Sequence, residues 1–425
     1  MTSVENYASP SKKPKVFYGY WIVAATFFCA FMDSACGYYS FSLFVTPLEA
    51  DFGWGRGTIM AAWTFRFLGM GLASPFFGRL VDRWGSRKVI PIGAIIGGLG
   101  FVLLAQTTNL WYFYIGWAVV GIGMAGSGLI PGTAVVSRWF KKRRGMALGI
   151  MGVGFGAGGI LSPLIGGYLI PNFGWSASYF ALAWLMWILI PLAILVIRTK
   201  PSDMGLHPDG VEEPETKTEA ATESSSSSDS GMTLKMALVS SSFWLIGISY
   251  LISSMGETGI TQSQVPFLED IGFPVALAAT TLAVVGIWSA IGKFAFGWLC
   301  DRIPVKIARA IGIGFLLVGA IILTSVQPGS LTVLIWLYTI LKGFGTGSWM
   351  ATMSMLTSTT FGLASYGLIF GMVTILMSIG NAIGPLLGGF MYDFTGSYYG
   401  AFIVFIIMLA LAIPTILAVR RPKFL

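Results

Sequence analysis

The sequence predicts an all-α membrane protein whose twelve transmembrane helices form two pseudo-symmetric six-helix bundles. Three observations lead to this fold class. Hydrophobic residues make up 55% of the chain and charged residues 10%, with a mean hydropathy of +0.77, whereas about a quarter of the residues in soluble domains are charged. The apolar residues gather in segments long enough to cross a bilayer, and two motifs of the first half recur in the second half.

Segment length predicts the individual helices, because a membrane-spanning helix needs about 20 mainly apolar residues. In the first half such segments lie near residues 17–46, 57–78, 89–107, 110–136, 146–171 and 175–197. In the second half they lie near residues 239–268, 274–299, 306–326, 331–356, 364–391 and 398–419. The expected organisation is an N-terminal six-helix bundle over 1–197, a cytoplasmic linker over 198–238 and a C-terminal six-helix bundle over 239–425. The linker is rich in Pro, Glu, Thr and Ser, so we expect it to be largely disordered.

Two recurring motifs indicate an internal duplication. The sequence Gly78-Arg-Leu-Val-Asp-Arg returns as Gly297-Trp-Leu-Cys-Asp-Arg, about 220 residues later. Ser162-Pro-Leu-Ile-Gly-Gly returns as Gly384-Pro-Leu-Leu-Gly-Gly at nearly the same separation. Two unrelated motifs with one offset are expected when two halves are related by an axis along the membrane normal.

The distribution of basic residues predicts the orientation. Of the 26 Lys and Arg residues, 22 are assigned to the face that also carries both termini, and Arg309 is one of these 22. Arg56 falls on the other face, and the remaining three fall inside helices. Basic segments stay in the cytoplasm. We therefore expect a plasma-membrane (cell inner membrane) protein with both termini cytoplasmic.

Composition also excludes several classes of function. Cys29, Cys36 and Cys300 lie in or beside apolar segments, without the spacing of a metal site or a disulfide framework. The glycine-rich run at 152–159 is not followed by Gly-Lys-Ser/Thr, so helix packing explains it better than a nucleotide site. The net charge of +8 follows from the sorting of cations and requires no nucleic acid. We expect no enzymatic reaction, no catalytic residue, no cofactor and no metal.

The polar stretch that opens with Gly78 carries a family resemblance. Its pattern, Gly-x-x-x-Asp-Arg-x-Gly-x-Arg-Lys, resembles the cytoplasmic loop 2–3 signature of the major facilitator superfamily. Residues 39–57, 137–145 and 384–398 resemble the branch that contains monocarboxylate transporters and oxalate/formate exchangers. The resemblance spans both halves and leaves out the linker. It implies a secondary transporter that works by alternating access around a central cavity, as a monomer.

Five ionisable side chains fall well inside predicted helices, and they are Asp33, Arg66, Glu257, Lys293 and Lys342. Each costs on the order of 2.5–3.5 kcal/mol at the bilayer centre, so they must face an interior cavity or one another. Some of them can be simple interhelical ion pairs. As a set they predict a functional pathway, and three cations against two carboxylates favour an anionic substrate.

The resemblance assigns roles to some of these residues. Members of the branch use an arginine four residues before the loop 8–9 glycine to bind the substrate carboxylate, and Lys293 stands at that position here. Lysine offers a point charge in place of a planar fork. Arg66 and Lys342 are the competing cations for the substrate.

Further candidates complete the predicted site. Tyr38 and Tyr39 stand where some members place a helix 1 lysine, so they are substrate-binding candidates, with interfacial packing as an equal alternative. Asn381 is another, although a hydrogen bond to a backbone carbonyl is the preferred interpretation. Asp33 and Glu257 occupy matching places in the two halves and are the expected proton-coupling residues, because a carboxylate in a membrane cavity can exchange a proton near neutral pH. The gating candidates are Gly78, Asp82, Arg83, Arg87, Asp301 and Arg302.

These observations predict a proton-coupled secondary transporter of a small monocarboxylate resembling lactate or pyruvate. Its partners are the organic anion, the proton and the lipid bilayer. Exchange of one carboxylate for another, and efflux of a larger amphipathic compound, are alternatives within transport. A non-transporting membrane sensor is an alternative from another class, although a sensor normally carries a soluble signalling domain and the only sizeable soluble stretch is the low-complexity linker.

Overall fold

The computed structural model describes residues 17–140, 144–207, 209, 232–329, 331–362 and 366–420. The side chains of residues 82, 144, 145 and 366–368 lie outside this description. Most of the predicted linker, from 210 to 231, is likewise outside the described residues, so its expected disorder stays a prediction.

The described residues form twelve long helical spans, which we label α1 to α12, and two short helices at Pro201–Met204 and Leu234–Val239. The first six are α1 (Gly19–Phe52), α2 (Arg56–Trp84), α3 (Ser86–Ala105), α4 (Leu110–Trp139), α5 (144–174) and α6 (175–196). The second six are α7 (Ser241–Asp270), α8 (Val275–Cys300), α9 (Val305–Thr324), α10 (Thr332–Thr346 and Trp349–Phe361), α11 (Tyr366–Thr395) and α12 (Tyr399–Leu417). The twelve predicted helices are confirmed, with ends that differ by several residues.

Hydropathy separates the spans into two groups. Among the described residues, eight helices are long and apolar enough to cross a membrane, and one of them, Met146–Val196, contains both α5 and α6. Those two spans are divided at Gly174, whose φ of 80° is readily adopted by glycine. The three less apolar spans are α2, α7 and α10, which carry Arg66, Glu257 and Lys342. These three charged residues are buried inside the protein, and the chain is a multi-pass membrane protein.

The stretch from Gly78 to Lys88 is helical except at Gly85. Helix α2 continues to Trp84 and α3 begins at Ser86, so only Gly85, with φ of 79°, lies between them. The predicted helix ends near 78 and 89, which leave a loop between them, are therefore wrong. A polar segment at the end of a membrane helix can stay helical outside the bilayer, and one glycine with positive φ is enough to turn the chain.

The helix ends define two ends of the molecule. We call one the Gly85 end, where the hydroxyl of Tyr18 donates to the carbonyl of Val196 at 2.8 Å and the start of α1 meets the end of α6. We call the other the Arg56 end, where the turns between α1 and α2 and between α7 and α8 lie. Successive helices run alternately between these two ends.

Glycines bring the two halves together where α5 crosses α8. A Cβ atom added to Gly286 would lie 2.3 Å from the carbonyl oxygen of Gly156, and one added to Gly159 would lie 2.5 Å from that of Leu282. Larger residues would therefore force the helices apart. Small residues at such crossings let helix backbones approach closely in lipid.

The second contact between the halves, where α2 crosses α11, uses a backbone carbonyl that a proline leaves without a helical partner. Pro385 has no N–H, so the carbonyl of Asn381, four residues earlier, has no helical partner. The indole Nε1 of Trp63 donates to that carbonyl at 3.0 Å. The hydroxyl of Thr64 donates to the next carbonyl, that of Ala382, also at 3.0 Å.

The same interface helices separate toward the Gly85 end. Gly78, Gly149, Gly297 and Gly371 belong to α2, α5, α8 and α11, and an added Cβ at any of them would meet no atom within 4 Å. Leu72 of α2 is 81% exposed and Ile375 of α11 is 54% exposed. The described halves are thus in contact at the Arg56 end and apart at the Gly85 end.

Candidate functional site

A central cavity of about 170 Å³ lies between the two halves. Helices of both bundles line it, namely α1, α2, α4 and α5 from the first half and α7 to α11 from the second half. Its ionisable lining residues are Asp33, Arg66, Glu257, Lys293 and Arg309. Three cations and two carboxylates therefore face one space, which leaves one surplus positive charge when all five are ionised.

Arg66 is a buried cation with few partners. It is 5% exposed, and in the described part of the chain its Nε and Nη1 atoms have no hydrogen-bond partner. Its Nη2 donates to the thioether Sδ of Met124 at 3.2 Å. The rings of Trp63 and Phe67 lie 4.8 Å and 5.1 Å from the guanidinium carbon. Because a thioether is a weak acceptor, none of the three guanidinium nitrogens has an oxygen partner among the described residues.

Asp33 lies in the first half and is 7% exposed. Its Oδ1 accepts a hydrogen bond from the hydroxyl of Ser127 at 2.8 Å. Arg66 is the cation whose charge acts on this carboxylate. No ion pair within 4.0 Å joins the two side chains in the structure as described.

Glu257 is the carboxylate of the second half and is 8% exposed. Three cations act on its charge, with Arg309 first, then Lys342 and Lys293. Within the described residues none of them forms an ion pair with it at 4.0 Å or less. Glu257 therefore partly balances a group of cations without being bound to one of them.

The two lysines differ in their access to the cavity. Lys293 lines the cavity, and its Nζ donates to the carbonyl of Gly152 in the opposite half at 2.7 Å. Lys342 is 2% exposed, does not line the cavity, and donates to the hydroxyl of Thr261 at 2.8 Å. The geometry therefore brings Lys293 to the cavity surface and holds Lys342 one layer behind it.

Arg309 was missed as a site residue by the sequence analysis. Counting it with the cytoplasmic surface cations is wrong, because it is 1% exposed and lines the cavity. Its Nη1 donates to Ser348 Oγ at 2.9 Å and its Nη2 to Ser253 Oγ at 2.8 Å, while its Nε has no partner among the described residues. Its position in the predicted helix 306–326 was the available signal, and its nearness to loop cations hid that signal.

The remaining substrate-binding candidates also line the cavity. Tyr38 and Tyr39 lie in a π-helical turn of α1, Ala35–Tyr39, a distortion that is frequent at functional sites. The Oδ1 of Asn381 accepts from the hydroxyl of Thr258 at 2.6 Å, and the expected donation from its Nδ2 to a backbone carbonyl stays a prediction. Tyr38 packs against Phe155 in a tilted arrangement, with ring centroids 5.5 Å apart.

A second group of charges closes the Arg56 end. The guanidinium of Arg56 donates to both carboxylate oxygens of Asp270, at 2.5 and 2.7 Å, and to Glu49 at 2.7 Å. The carboxylate of Asp393 accepts from the backbone N–H groups of Arg56 at 2.7 Å and of Gly57 at 2.9 Å. Those N–H groups begin α2, where a helix favours negative charge. Both contacts join the first half to the second half.

The predicted gating residues lie at the Gly85 end. Arg87 donates to the carbonyl of Ile194 at 3.1 and 2.8 Å, within the first half. The guanidinium of Arg302 lies 3.8 Å from the ring of Trp298. Arg83 and Asp301 are exposed, Gly78 is partly buried, and the side chain of Asp82 is outside the described residues. The gating role of this set stays a prediction.

Comparisons with known proteins match this architecture. A family model described as Major Facilitator Superfamily matches residues 23–376. Monocarboxylate transporter 11 of Mus musculus is 28% identical over 352 residues, which cover 78% of this chain and 72% of that protein. An MFS-type transporter of Gibberella moniliformis is 24% identical, over 79% of this chain and 75% of that protein.

Solved structures share the fold. A bacterial homolog of the human lysosomal transporter Spinster, in an inward-facing and occupied conformation, gives a TM-score of 0.74 at 16% identity, covering 96% of this chain and 97% of that one. The nucleoside transporter NupG gives a TM-score of 0.74 at 14% identity, covering 94% of this chain and 99% of that one.

Proposed function

The chain belongs to the major facilitator superfamily, and on that premise we propose that it is a proton-coupled secondary transporter of small organic monocarboxylates. The lactate- or pyruvate-like acids of the sequence analysis are the starting candidates. Similarity to proteins named monocarboxylate transporters supports this class of substrate. The cavity is formed within one chain, which supports function as a monomer.

The observation that carries the proposal is the guanidinium of Arg66, whose Nε and Nη1 have no hydrogen-bond partner among the described residues. A buried donor without a partner costs on the order of 1–3 kcal/mol, and a planar fork matches a carboxylate with two parallel hydrogen bonds. An organic carboxylate that replaces the sulfur of Met124 at Nη2 accepts two parallel hydrogen bonds, one from Nη2 and one from either Nε or Nη1. It also neutralises the surplus positive charge of the lining.

Glu257 supplies the coupling in this proposal. In its ionised form it competes with the substrate carboxylate for the attraction of Lys293 and Arg309. When it takes up a proton, those cations are left for the substrate, so anion and proton bind together. Asp33 can act in the same way on Arg66, from the opposite wall of the cavity.

Alternating access follows from the two ends of the bundle. The structure is closed at the Arg56 end and apart at the Gly85 end. We assign the Gly85 end to the cytoplasm of the plasma membrane, because the basic residues gather there. Transport then requires the contacts of Arg56 with Asp270 and of Asp393 with the start of α2 to break while the Gly85 end closes, with Asp82 and Arg83 among the residues that meet there.

Uptake into proteoliposomes tests the function. Labelled lactate, pyruvate and phenylacetate are each supplied with and without an inwardly directed proton gradient, with Arg66→Gln as the site variant. Arg198→Gln serves as the matched control, since Arg198 lies outside the cavity. We expect the proton gradient to stimulate uptake by the wild type. Arg66→Gln should abolish this uptake, and Arg198→Gln should retain it. Absence of carboxylate uptake under either condition, in correctly inserted protein, contradicts the proposal.

A further inference from the structure

The apolar residues that line the cavity indicate what kind of group the substrate carries besides its carboxylate. Three methionines and six aromatic residues line the cavity, and the aromatic residues are Tyr38, Tyr39, Phe67, Phe155, Tyr250 and Trp349. The uncharged polar lining consists of Ser254, Thr258, Ser289, Thr346 and Asn381. The hydroxyl of Thr258 is already bonded to the amide of Asn381. Five uncharged polar side chains of this kind thus stand against nine aromatic and methionine side chains, and Ser254 and Thr258 are already hydrogen-bonded within the protein.

The seat of the carboxylate is occupied by a side chain that can leave it. Met124 contacts Arg66 through its sulfur alone, and thioethers are weak acceptors on flexible side chains. The end of the Met124 side chain packs directly on Gly37, since a Cβ atom at this position would lie 1.6 Å from the Cε of Met124, so only glycine accommodates Met124 in this place. A carboxylate oxygen is a much stronger acceptor for Nη2 than the thioether is.

From these observations we propose that the substrate is a monocarboxylate with a bulky apolar body, of the size of a phenyl group, rather than a short hydroxy or keto acid. Its carboxylate displaces the sulfur of Met124 from Arg66, and its body packs against the rings of Tyr38 and Phe155. This inference rests on the proposed function, which requires only that some monocarboxylate binds.

The energetic reason is burial of apolar surface. Each methylene moved from water into an apolar site strengthens binding by roughly fourfold. A lactate-sized anion satisfies Arg66 and leaves the aromatic wall in contact with water. An aromatic acid satisfies the same cation and covers that wall as well.

Calorimetric titration of the purified full-length protein with a graded series tests the inference. The probes are acetate, butyrate, hexanoate, phenylacetate and lactate, with benzylamine as a cationic control of the same shape as phenylacetate. We expect affinity to rise along the series, phenylacetate to bind at least tenfold more tightly than lactate, and benzylamine not to bind.

Two conservative variants test the seat. Met124→Leu keeps the volume of the side chain and removes the sulfur acceptor, so we expect every carboxylate to bind a few-fold more tightly. Met186→Leu is the matched control, because Met186 is a fully buried methionine outside the cavity. Equal affinities for Met124→Leu and Met186→Leu would show that the carboxylate does not displace the sulfur of Met124 from Arg66.

The outcomes separate the two proposals. If lactate binds as tightly as phenylacetate or more tightly, the bulky apolar substrate is wrong and the monocarboxylate transporter stands. If no carboxylate in the series binds, both are wrong.

Discussion

Arg56 and Arg66 are two buried arginines of the same helix, three turns apart, and they have opposite surroundings. Arg56 is 3% exposed, and all three of its side-chain nitrogens donate to carboxylate oxygens of Glu49 and Asp270. Arg66 is 5% exposed, and its best partner among the described residues is a methionine sulfur. Burial removes the hydration of both cations, and only Arg56 gains carboxylate partners within the protein that compensate for this loss.

The difference separates a structural charge from a functional one. A paired cation contributes to the closed conformation, here by joining α2 to the end of α7. A buried cation whose donors lack partners persists at a cost in stability, which is the signature of a site that receives its partner from outside. Four experiments break or sharpen this contrast, in decreasing order of expected effect.

The largest effect is expected for substrate affinity in Arg66→Gln. Loss of charge-assisted hydrogen bonds worth about 1.5–3 kcal/mol weakens carboxylate binding by roughly ten- to a hundredfold. Lys293→Gln should weaken it less, because that ammonium already donates to the carbonyl of Gly152. Lys342→Gln should have the smallest effect, since Lys342 does not line the cavity. Affinities of the three purified variants, measured side by side, check this ranking; normal binding by Arg66→Gln with loss in Lys293→Gln reverses the assignment.

Stability should respond in the opposite way. Arg56→Gln leaves Asp270 and Glu49 without their cation, and we expect it to lower the free energy of unfolding by about 1–3 kcal/mol, with partial solvation of both carboxylates limiting the loss. Arg66→Gln removes a poorly paired buried charge and should leave stability unchanged or raise it. Chemical unfolding in one detergent compares the two. Equal destabilisation by both substitutions is incompatible with the contrast.

The carboxylates of the two regions should differ in their effect on pH dependence. Asp33→Asn and Glu257→Gln fix these side chains in a neutral form, so at least one of them should remove the stimulation of uptake by acid while exchange of substrate persists. Asp393→Asn should keep the stimulation, because Asp393 belongs to the Arg56 end. Initial uptake rates between about pH 5 and 8 report the outcome. Full acid stimulation in both cavity variants excludes Asp33 and Glu257 from coupling.

The smallest effect is expected from the cap of α2. Asp393→Asn keeps a hydrogen-bond acceptor at the N–H groups of Arg56 and Gly57 but loses the negative charge at the helix start, which is worth about 0.3–1 kcal/mol. Asp393→Ala should cost more than Asp393→Asn, because the acceptor is lost as well. If the two variants have the same unfolding free energy, the hydrogen bonds at this cap contribute nothing measurable.

Much of the fold was accessible from the sequence. The twelve helices and the superfamily are confirmed, because hydropathy over about 20 residues and duplicated motifs are strong signals. The boundary at Gly85 was not accessible, since polar composition indicates where a helix leaves the membrane and not where it ends. The burial of Arg309 was hidden for the same reason, because its helix begins among surface cations.

The state of each charge could not be obtained from the sequence. Arg56 is the single cation assigned to the face opposite the termini. No neighbouring residue in the sequence indicates that it pairs with Asp270, which lies 214 residues away. Arg66 carries no local sign that its donors are unpaired. Pairing depends on which helices cross, and the crossing of α2 with α11 depends in turn on a carbonyl released by Pro385. The roles of Lys293, Asp33, Glu257 and the gating residues stay predictions.

The most direct test is thermal unfolding of the wild type, Arg56→Gln and Arg66→Gln, each with and without a saturating monocarboxylate. A ligand at about 100 times its dissociation constant stabilises the protein that binds it by about 2.7 kcal/mol. We predict that lactate or phenylacetate raises the unfolding temperature of the wild type and of Arg56→Gln by similar amounts, and raises that of Arg66→Gln by about half as much or less, because a ten- to hundredfold weaker ligand stabilises less. A carboxylate that stabilises Arg66→Gln as much as it stabilises the wild type contradicts the assignment of Arg66 as the substrate's partner.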